Sequence, residues 1–558
     1  MHNTCSILVL PDNRELIVPE NAYLHEALDR HGISLTAYCD GMGLCGKCIV
    51  QIKLADGCCP PVTEADEKFL TEEEIGNGFR LACKWHVICN AEITIPDKSR
   101  VNHLNILTKD TGESPLDLSA DFSVERPYGL AFDIGTTTVV GSIVDYRTGQ
   151  TLGVSSYLNS QQKYGADVIS RINHSLNEIG LKELNSELIS TINKIVEDVL
   201  NESKVTPNKI AEIVFTGNTV MLHSLHKESM ENMAHLPFEP SYTRAKNICA
   251  VDIGIKIDPE TKLYSFPVVS GFVGGDTISC MLATDMDESE NKQLIIDIGT
   301  NGEVALGNKN GWTTTSAPAG PAFEGARISA GMRGANGAIE HVQITDNKMI
   351  IDVIGQQTPV GICGTGLIDI AAELLNRGIL DTTGRINDLD ELPKGTPDWL
   401  SKRIIDQDGQ NSFVLFDPET DEYIENDVSP QKLYITQRDL RELQLAKAAV
   451  ATACDILLKH ENIILEDVCC VLLAGAFGNY LRPANARRIG LIPNVPMDKI
   501  HFIGNAASTG AKRVLVSQKE RKRVEKIAAE SEHVELAADP DFQMAYAEQM
   551  FYPDAVLD

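Results

Sequence analysis

Short apolar runs with a period of two open the chain. SILVLP and ELIVP place apolar residues at alternate positions, which predicts two strands joined by a turn at Pro11-Asp12-Asn13. The segment AYLHEALDRHG shifts to helical spacing and is stopped by Gly32. IVQIKL and AEITIP predict two further strands, the second ending before Asp97. From Asp97 to about Arg126 the chain is polar and aperiodic, as a linker would be. From Tyr128 onward, glycine-punctuated strands alternate with longer helical stretches, notably residues 166–200 and Thr436 to Leu458, the pattern of an α/β architecture. The expected division is a small domain over 1–98, a linker over 99–126 and a large domain over 127–558 in two lobes, the second beginning near 292.

The large domain contains an echo. FDIGTTTVVG at Phe132 to Gly141 and IDIGTNGEVALG at Ile296 to Gly307 share one design: an apolar strand, then Asp, Ile, Gly and Thr, then a second strand. A duplicated α/β unit with a cleft between its halves is the simplest reading.

Composition narrows the function classes. A length of 558 residues, 43% of them hydrophobic, is enough for more than one buried core. A formal net charge of -30 would repel phosphate backbones and anionic lipids, so neither nucleic acid nor a membrane surface is an expected partner. No apolar run approaches the roughly 20 residues needed to cross a bilayer. MHNTCSILVLPDNRE lacks the basic start and long apolar centre of a signal peptide, and a soluble, cytoplasmic protein is expected. Of the 14 cysteines, Cys5, Cys39, Cys45, Cys48, Cys58, Cys59, Cys83 and Cys89 crowd the first 90 positions. The remainder are scattered in apolar surroundings, where a free thiol usually serves packing.

The crowded set carries a motif. Cys39-x5-Cys45-x2-Cys48 lies in a segment with Gly41, Gly43 and Gly46, and a glycine loop can turn several backbone N–H groups toward inorganic sulfur. The fourth thiolate is expected from Cys83 in FRLACKW. Cys58 and Cys59 compete but precede Pro60-Pro61 in an apparent surface turn, and Cys89 is assigned to the final strand. A structural zinc site is the alternative, but it normally uses two short Cys-x2-Cys hooks and only one is present. With five residues in the first gap and the closing LAC at Leu81 to Cys83, residues 1 to 98 resemble the adrenodoxin-like [2Fe-2S] ferredoxins, which implies a β-grasp fold and a [2Fe-2S] cluster held by Cys39, Cys45, Cys48 and Cys83.

In each DIGT segment the strand ends at an Asp, and the following turn can offer N–H and hydroxyl groups to phosphate. That makes Asp133, Gly135, Thr136, Thr137 and Thr138 one candidate loop, and Asp297, Gly299, Thr300, Asn301 and Gly302 a second. Asp133 and Asp297 would face each other and hold Mg²⁺ through water, since that ion keeps its hydration shell. LLAGAFGNYL places Gly475, Ala476, Phe477 and Gly478 after an apolar strand, where a backbone lacking side chains can approach adenosine. GFVGGDT and GNAASTGA read as points where helices reconnect the halves. The ordered set resembles the superfamily of actin, sugar kinases and heat-shock chaperones, with its ribonuclease H-like duplicated ATPase fold. ATP is therefore an implied ligand.

DIGTNGE at Asp297 to Glu303, GPAFEGARISAGMRG at Gly320 to Gly334, CGTGLID at Cys363 to Asp369 and AGAFGNYL at Ala474 to Leu481 resemble the reductive activators of corrinoid-dependent methyltransferase systems. The resemblance implies that such a protein returns a corrinoid cofactor from inactive Co(II) to Co(I), with an electron from its [2Fe-2S] cluster and at the expense of ATP. It also implies a corrinoid protein as partner, reduced ferredoxin or flavodoxin as electron donor, and a homodimer. Glu303 and Glu324, beside the phosphate loops, are candidates to orient the attacking water; a carboxylate bracing the loop is the plainer reading. Rival functions are a small-molecule kinase, a nucleotide-gated redox sensor with a fused ferredoxin domain, and an activator of acyl-CoA dehydratases, against which the N-terminal cysteines argue.

Overall fold

The computed structural model describes residues 4–10, 14–31, 33, 35, 48–55, 60–96, 99, 123–165, 167–299, 301–325, 327–407, 409–421, 423, 430–475 and 481–554. The predicted turn at 11–13 and nearly all of the predicted linker lie outside these residues.

Five strands, β1 (Thr4–Leu10), β2 (Arg14–Pro19), β3 (Ile49–Leu54), β4 (Phe79–Leu81) and β5 (Ala91–Thr94), form one mixed sheet in the order β2-β1-β5-β3-β4. The first and last strands lie side by side in parallel, as the β-grasp arrangement requires. Alternation in β1 buries Cys5, Ile7 and Val9 on one face, where they meet Leu24, Ala27 and Leu28 of the helix Leu24–Arg30 in a core of their own.

The larger part contains two sheets of matching design. Strands β6 (Tyr128–Ile134), β7 (Thr138–Asp145), β8 (Thr151–Leu158), β9 (Ile210–Gly217), β10 (Lys246–Cys249) and β11 (Lys262–Ser265) run in the order β10-β11-β9-β6-β7-β8. Then come β12 (Lys292–Ile298), β13 (Gly302–Asn308) and β14 (Gly311–Ala317). Two three-stranded sheets follow, one of β15 (Ala338–Ile344), β16 (Met349–Val353) and β17 (Gly361–Ile362), the other of β18 (Ile404–Gln407), β19 (Gln410–Phe416) and β20 (Leu433–Thr436). Finally β21 (Val468–Ala474), β22 (Ile500–Gly504) and β23 (Glu532–His533) complete a second six-stranded sheet, β22-β21-β12-β13-β14-β23. In both large sheets the strand that ends in DIG has a parallel neighbour on one side and its antiparallel hairpin partner on the other. The sequence echo is thus a structural duplication.

The long helical stretch predicted over 166–200 is two helices, Val168–Ser175 and Glu178–Ser203. Asn177 starts the second by accepting from the N–H of Gly180, so the hydrogen-bond ladder begins anew there. The helix Gln437–His460 begins, as predicted, at Thr436, whose hydroxyl and the carboxylate of Asp439 form a capping box.

Two helices tie the lobes together. Gly275–Ala283 and Ala506–Val516 cross so closely that a Cβ on Gly510 would lie 2.3 Å from Ser279 Oγ, and that hydroxyl donates to the carbonyl of Ala507 at 2.7 Å. Although Ala506–Val516 and the next helix, Gln518–Glu530, come late in the chain, Leu515, Val524 and Ile527 pack into the core of the first lobe. Arg521 pins them there through Glu212, and Arg523 through Asp287, both at 2.5 Å. None of the helices among the described residues is long and apolar enough to cross a membrane.

Candidate functional site

In the small domain, the antiparallel pairing of β3 with β4 sets Ile49 opposite Leu81. Cys48 precedes the first and Cys83 follows the second by two positions, and the N–H of Ala82 donates to the carbonyl of Cys48 at 2.9 Å. Sheet register therefore brings these two thiols to one end of the sheet, both buried. Two buried cysteines beside a glycine-rich Cys-x5-Cys loop fit thiolate ligation of an iron-sulfur cluster. Cys39 and Cys45 lie outside the described residues, as do Cys58 and Cys59, the competitors of Cys83 for the fourth position. Cys89 precedes the final strand rather than joining it, and its thiol donates to the carbonyl of Asn90.

The main cleft lies between the two hairpins, β6–β7 and β12–β13, with a volume of about 750 Å³. The first hairpin turn is held from behind. Asn159 Nδ2 donates to the carbonyl of Gly135 at 3.0 Å, Arg171 Nη2 to that of Thr136 at 2.6 Å and Gln162 Nε2 to that of Thr137 at 2.9 Å. Because a trans peptide points its N–H opposite to its C=O, tying these carbonyls back turns the next N–H groups toward the cleft. Asn218 Nδ2 also fixes the Thr136 hydroxyl at 2.9 Å. A Cβ on Gly135 would stand 2.6 Å from the carbonyl oxygen of Thr138, so only glycine makes this turn without moving the backbone. The loop is a preset cradle for an anion.

The second turn differs. Asp297 pairs directly with Glu303 across β12–β13, whereas Asp133 sits opposite Val140. Asp276, at the start of the helix Gly275–Ala283, approaches both aspartates. Burial, then the charge of Asp276, pushes Asp133 up to about 7, while a hydrogen bond from Asn505 opposes the rise. Burial and the charges of Asp276 and Asp133 push Asp297 up to about 7 as well. Asp276 itself rises to about 6 and Glu303 well above the usual carboxylate range, both chiefly through burial. Such a concentration of reluctant carboxylates is the environment a divalent cation relieves. Among the described residues no three His, Cys, Asp or Glu side chains stand close enough to ligate an ion together.

Three helices begin at the cleft, at Gly275, Gly364 and Ala506, and their N-terminal N–H groups favour anionic groups. Gly475, with φ of +91°, stands where a Cβ would lie 2.6 Å from Asp297 Oδ1. Its absent side chain makes room for that carboxylate. Thr300, Ala476, Phe477 and Gly478 lie outside the described residues. Glu324 accepts from the Thr137 hydroxyl at 3.2 Å and so braces the first turn from the opposite lobe.

Comparison with known proteins accords with both sites. Residues 7–87 match the family described as "2Fe-2S iron-sulfur cluster binding domain", 128–289 the "RACo middle region" and 291–558 the "C-terminal domain of RACo the ASKHA domain". The corrinoid activation enzyme RamQ of Eubacterium limosum is 30% identical over 97% of this chain and 98% of its own. The chain belongs to the reductive activators of corrinoid proteins. A solved structure of a reductive activator for corrinoid,iron-sulfur protein shares 30% identity, covers 98% of both chains and superposes with a TM-score of 0.69. The [Co(II) methylated amine-specific corrinoid protein] reductase of Methanosarcina barkeri is 23% identical over 76% of this chain and 77% of its own.

In this activator, the residue that sequence reading passed over is Asp276. GFVGGDT reads as a connection between lobes, and it is one, but the same helix start delivers to the cleft wall a carboxylate whose charge reaches both Asp133 and Asp297. The signal was the Gly-Gly-Asp string, in which Gly274 is pressed against the backbone of Asn218 and Thr219 and so sets where Asp276 stands. Two other activator strings are supports. Fully buried Asp369 of CGTGLID accepts from Asn485 Nδ2 at 2.7 Å and lies 2.9 Å from His341 Nδ1, and Ser329 of the Gly320 to Gly334 segment donates its N–H to Asp439 at 2.7 Å.

Proposed function

We propose that this protein, working in the cytoplasm, uses ATP to drive an electron from its own [2Fe-2S] cluster onto the Co(II) corrinoid of a partner protein, restoring Co(I) for methyl transfer. The observation that carries this reading is the union, in a chain aligned end to end with a corrinoid activation enzyme, of paired buried cysteines with a carboxylate-floored phosphate cleft.

When bound, the cluster supplies a one-electron carrier, with Cys39, Cys45, Cys48 and Cys83 as its ligands. Residues of the cleft do the rest. N–H and hydroxyl groups of Thr136 and Thr137 receive phosphate oxygens on one side, and the turn from Gly299 to Gly302 receives them on the other. The Gly475 to Gly478 segment, by its glycine-rich sequence, is the expected place for adenosine. Asp133 and Asp297 would hold Mg²⁺, which would supply positive charge to offset that of the phosphates. Asp276, with a raised affinity for protons and a place in the same cleft wall, is suited to orient the attacking water and accept its proton. Glu303 supports Asp297 from the facing strand.

Magnitudes permit the coupling. Moving one electron against 100 mV costs about 2.3 kcal/mol, and ligand-driven conformational coupling commonly supplies about 1–3 kcal/mol. An external low-potential donor, reduced ferredoxin or flavodoxin, would recharge the cluster, and a homodimer is the expected assembly.

The test is to mix reconstituted protein, a low-potential reductant and Co(II) corrinoid protein with and without ATP, and to follow the Co(I) absorption band. ATP-dependent appearance of the band is expected; its appearance at the same rate and extent without ATP would refute the reading.

A further inference from the structure

Among the described residues, the cleft wall carries six carboxylates, Asp133, Asp276, Asp297, Glu303, Glu324 and Glu340, and a single cationic side chain, Arg333. Arg171 lies nearby, but its guanidinium is spent on the carbonyls of Gly165 and Thr136 and on Gln161 Oε1. Arg333 is different. It is exposed at the mouth of the cleft, at the end of the Gly320 to Gly334 segment of the second lobe, and its Nη2 donates to Gln162 Oε1 in the first lobe at 2.9 Å. Gln162 is the residue whose amide holds the Thr137 carbonyl, and Thr137 in turn donates to Glu324, at the other end of the same segment. Two contacts thus bridge the lobes directly over the first phosphate turn.

We propose that Arg333 is the residue that distinguishes nucleoside triphosphate from diphosphate in this cleft, an inference that rests on the ATP reading above. Its present partner is a neutral amide oxygen, which a phosphate oxygen outcompetes because the bond then joins two full charges. A terminal phosphate lying between the hairpin turns draws the guanidinium off Gln162 and pulls the Gly320 to Gly334 segment inward. Once that phosphate has left, Arg333 returns to Gln162. The exchange makes the closure of one lobe on the other depend on the third phosphate, the dependence an ATP-driven step needs.

The experiment is a set of binding titrations on the full chain with Mg²⁺, using ADP and a non-hydrolysable ATP analogue. For Arg333→Ala, affinity for the triphosphate analogue is expected to fall about tenfold to hundredfold, with ADP changed less than about twofold, the size of one charge-assisted contact. Arg333→Lys should fall in between, since it keeps the charge but not the fork. Equal weakening of both nucleotides by Arg333→Ala, or no weakening, overturns the assignment while leaving ATP binding intact. Wild-type protein that binds neither nucleotide overturns the ATP reading itself.

Discussion

The two hairpins read almost alike in sequence and do different work. In the first, DIGTTT, the backbone is the working part: Asn159, Arg171 and Gln162 clamp consecutive carbonyls so that N–H groups face the cleft. In the second, DIGTNGE, side chains take over, with Asp297 opposite Glu303 where the first hairpin has Asp133 opposite Val140. The second turn is one residue shorter, since Glu303 follows Asp297 by six positions and Val140 follows Asp133 by seven. That difference puts a second carboxylate on the same face as the motif aspartate. Two turns of one design thus differ in what they present to the cleft: the first a backbone with its carbonyls tied back, the second a pair of facing carboxylates.

If the first turn owes its shape to the clamp, removing the clamp should cost most. Arg171 is fully buried, and burial pushes its guanidinium down to about 10. Replacing it with Leu strands three acceptors, two of them buried. Arg171→Leu is therefore expected to destabilise the protein by about 3 kcal/mol and to weaken nucleotide binding with it, as denaturant unfolding and ATP titration would show. An unchanged unfolding midpoint would mean that the turn holds itself. The motif glycines give a sharper contrast. A Cβ on Gly135 meets backbone at 2.6 Å, whereas one on Gly299 has nothing nearer than the carbonyl oxygen of Asn301 at 3.5 Å. Gly135→Ala should weaken ATP binding about tenfold or more, and Gly299→Ala should stay within about 0.5 kcal/mol. Equal effects would erase the distinction between the hairpins.

How far the sequence foretells this depends on the range of the interactions. Four of the five β-grasp strands, the DIG turns and the start of Gln437–His460 follow from local period and local hydrogen bonding and are legible, whereas β4, three residues long, is too short to show a period. Asp276 is not, because its role comes from two other carboxylates, 143 residues before it (Asp133) and 21 after (Asp297), that only the folded lobes bring together. Nor is the clamp, since Asn159, Gln162 and Arg171 resemble any polar residues until the chain returns behind the turn. Gly475 was legible as a close approach, but its neighbour is Asp297 rather than a ligand alone. The break between Val168–Ser175 and Glu178–Ser203 was visible in principle at Asn177, an N-cap residue within an otherwise helical run.

Glu303→Gln sharpens the other side of the comparison. Like charges directly opposite on paired strands oppose folding, so the variant should be stabilised by up to about 1 kcal/mol in metal-free buffer at pH 8. Its Mg²⁺-dependent ATP turnover should fall. Val140→Glu in the first hairpin should show no such metal dependence, and a parallel response of the two variants would argue against separate roles.

The smallest expected effect is one of pH. Asp133 and Asp297 titrate near 7 and Asp276 near 6 in the folded chain, against 3.8 for an unperturbed aspartate. The native state thus keeps protons that the unfolded chain releases, and the stability this confers is complete below pH 4 and lost as pH rises through 6 and 7. Metal-free protein should melt lower at pH 8 than at pH 5.5, by a few degrees in a chain this long. His341, raised by its contact with Asp369, contributes in the same direction, but it does not line the cleft and should not respond to metal. Mg²⁺ separates the two contributions because it binds the deprotonated carboxylates. It should raise the melting temperature more at pH 8 than at pH 5.5, and Asp297→Asn, which removes the one carboxylate that both faces Glu303 across the hairpin and feels the charge of Asp276, should shrink that difference more than Asp133→Asn. Equal shrinkage would place the charge midway between the hairpins instead of on the second.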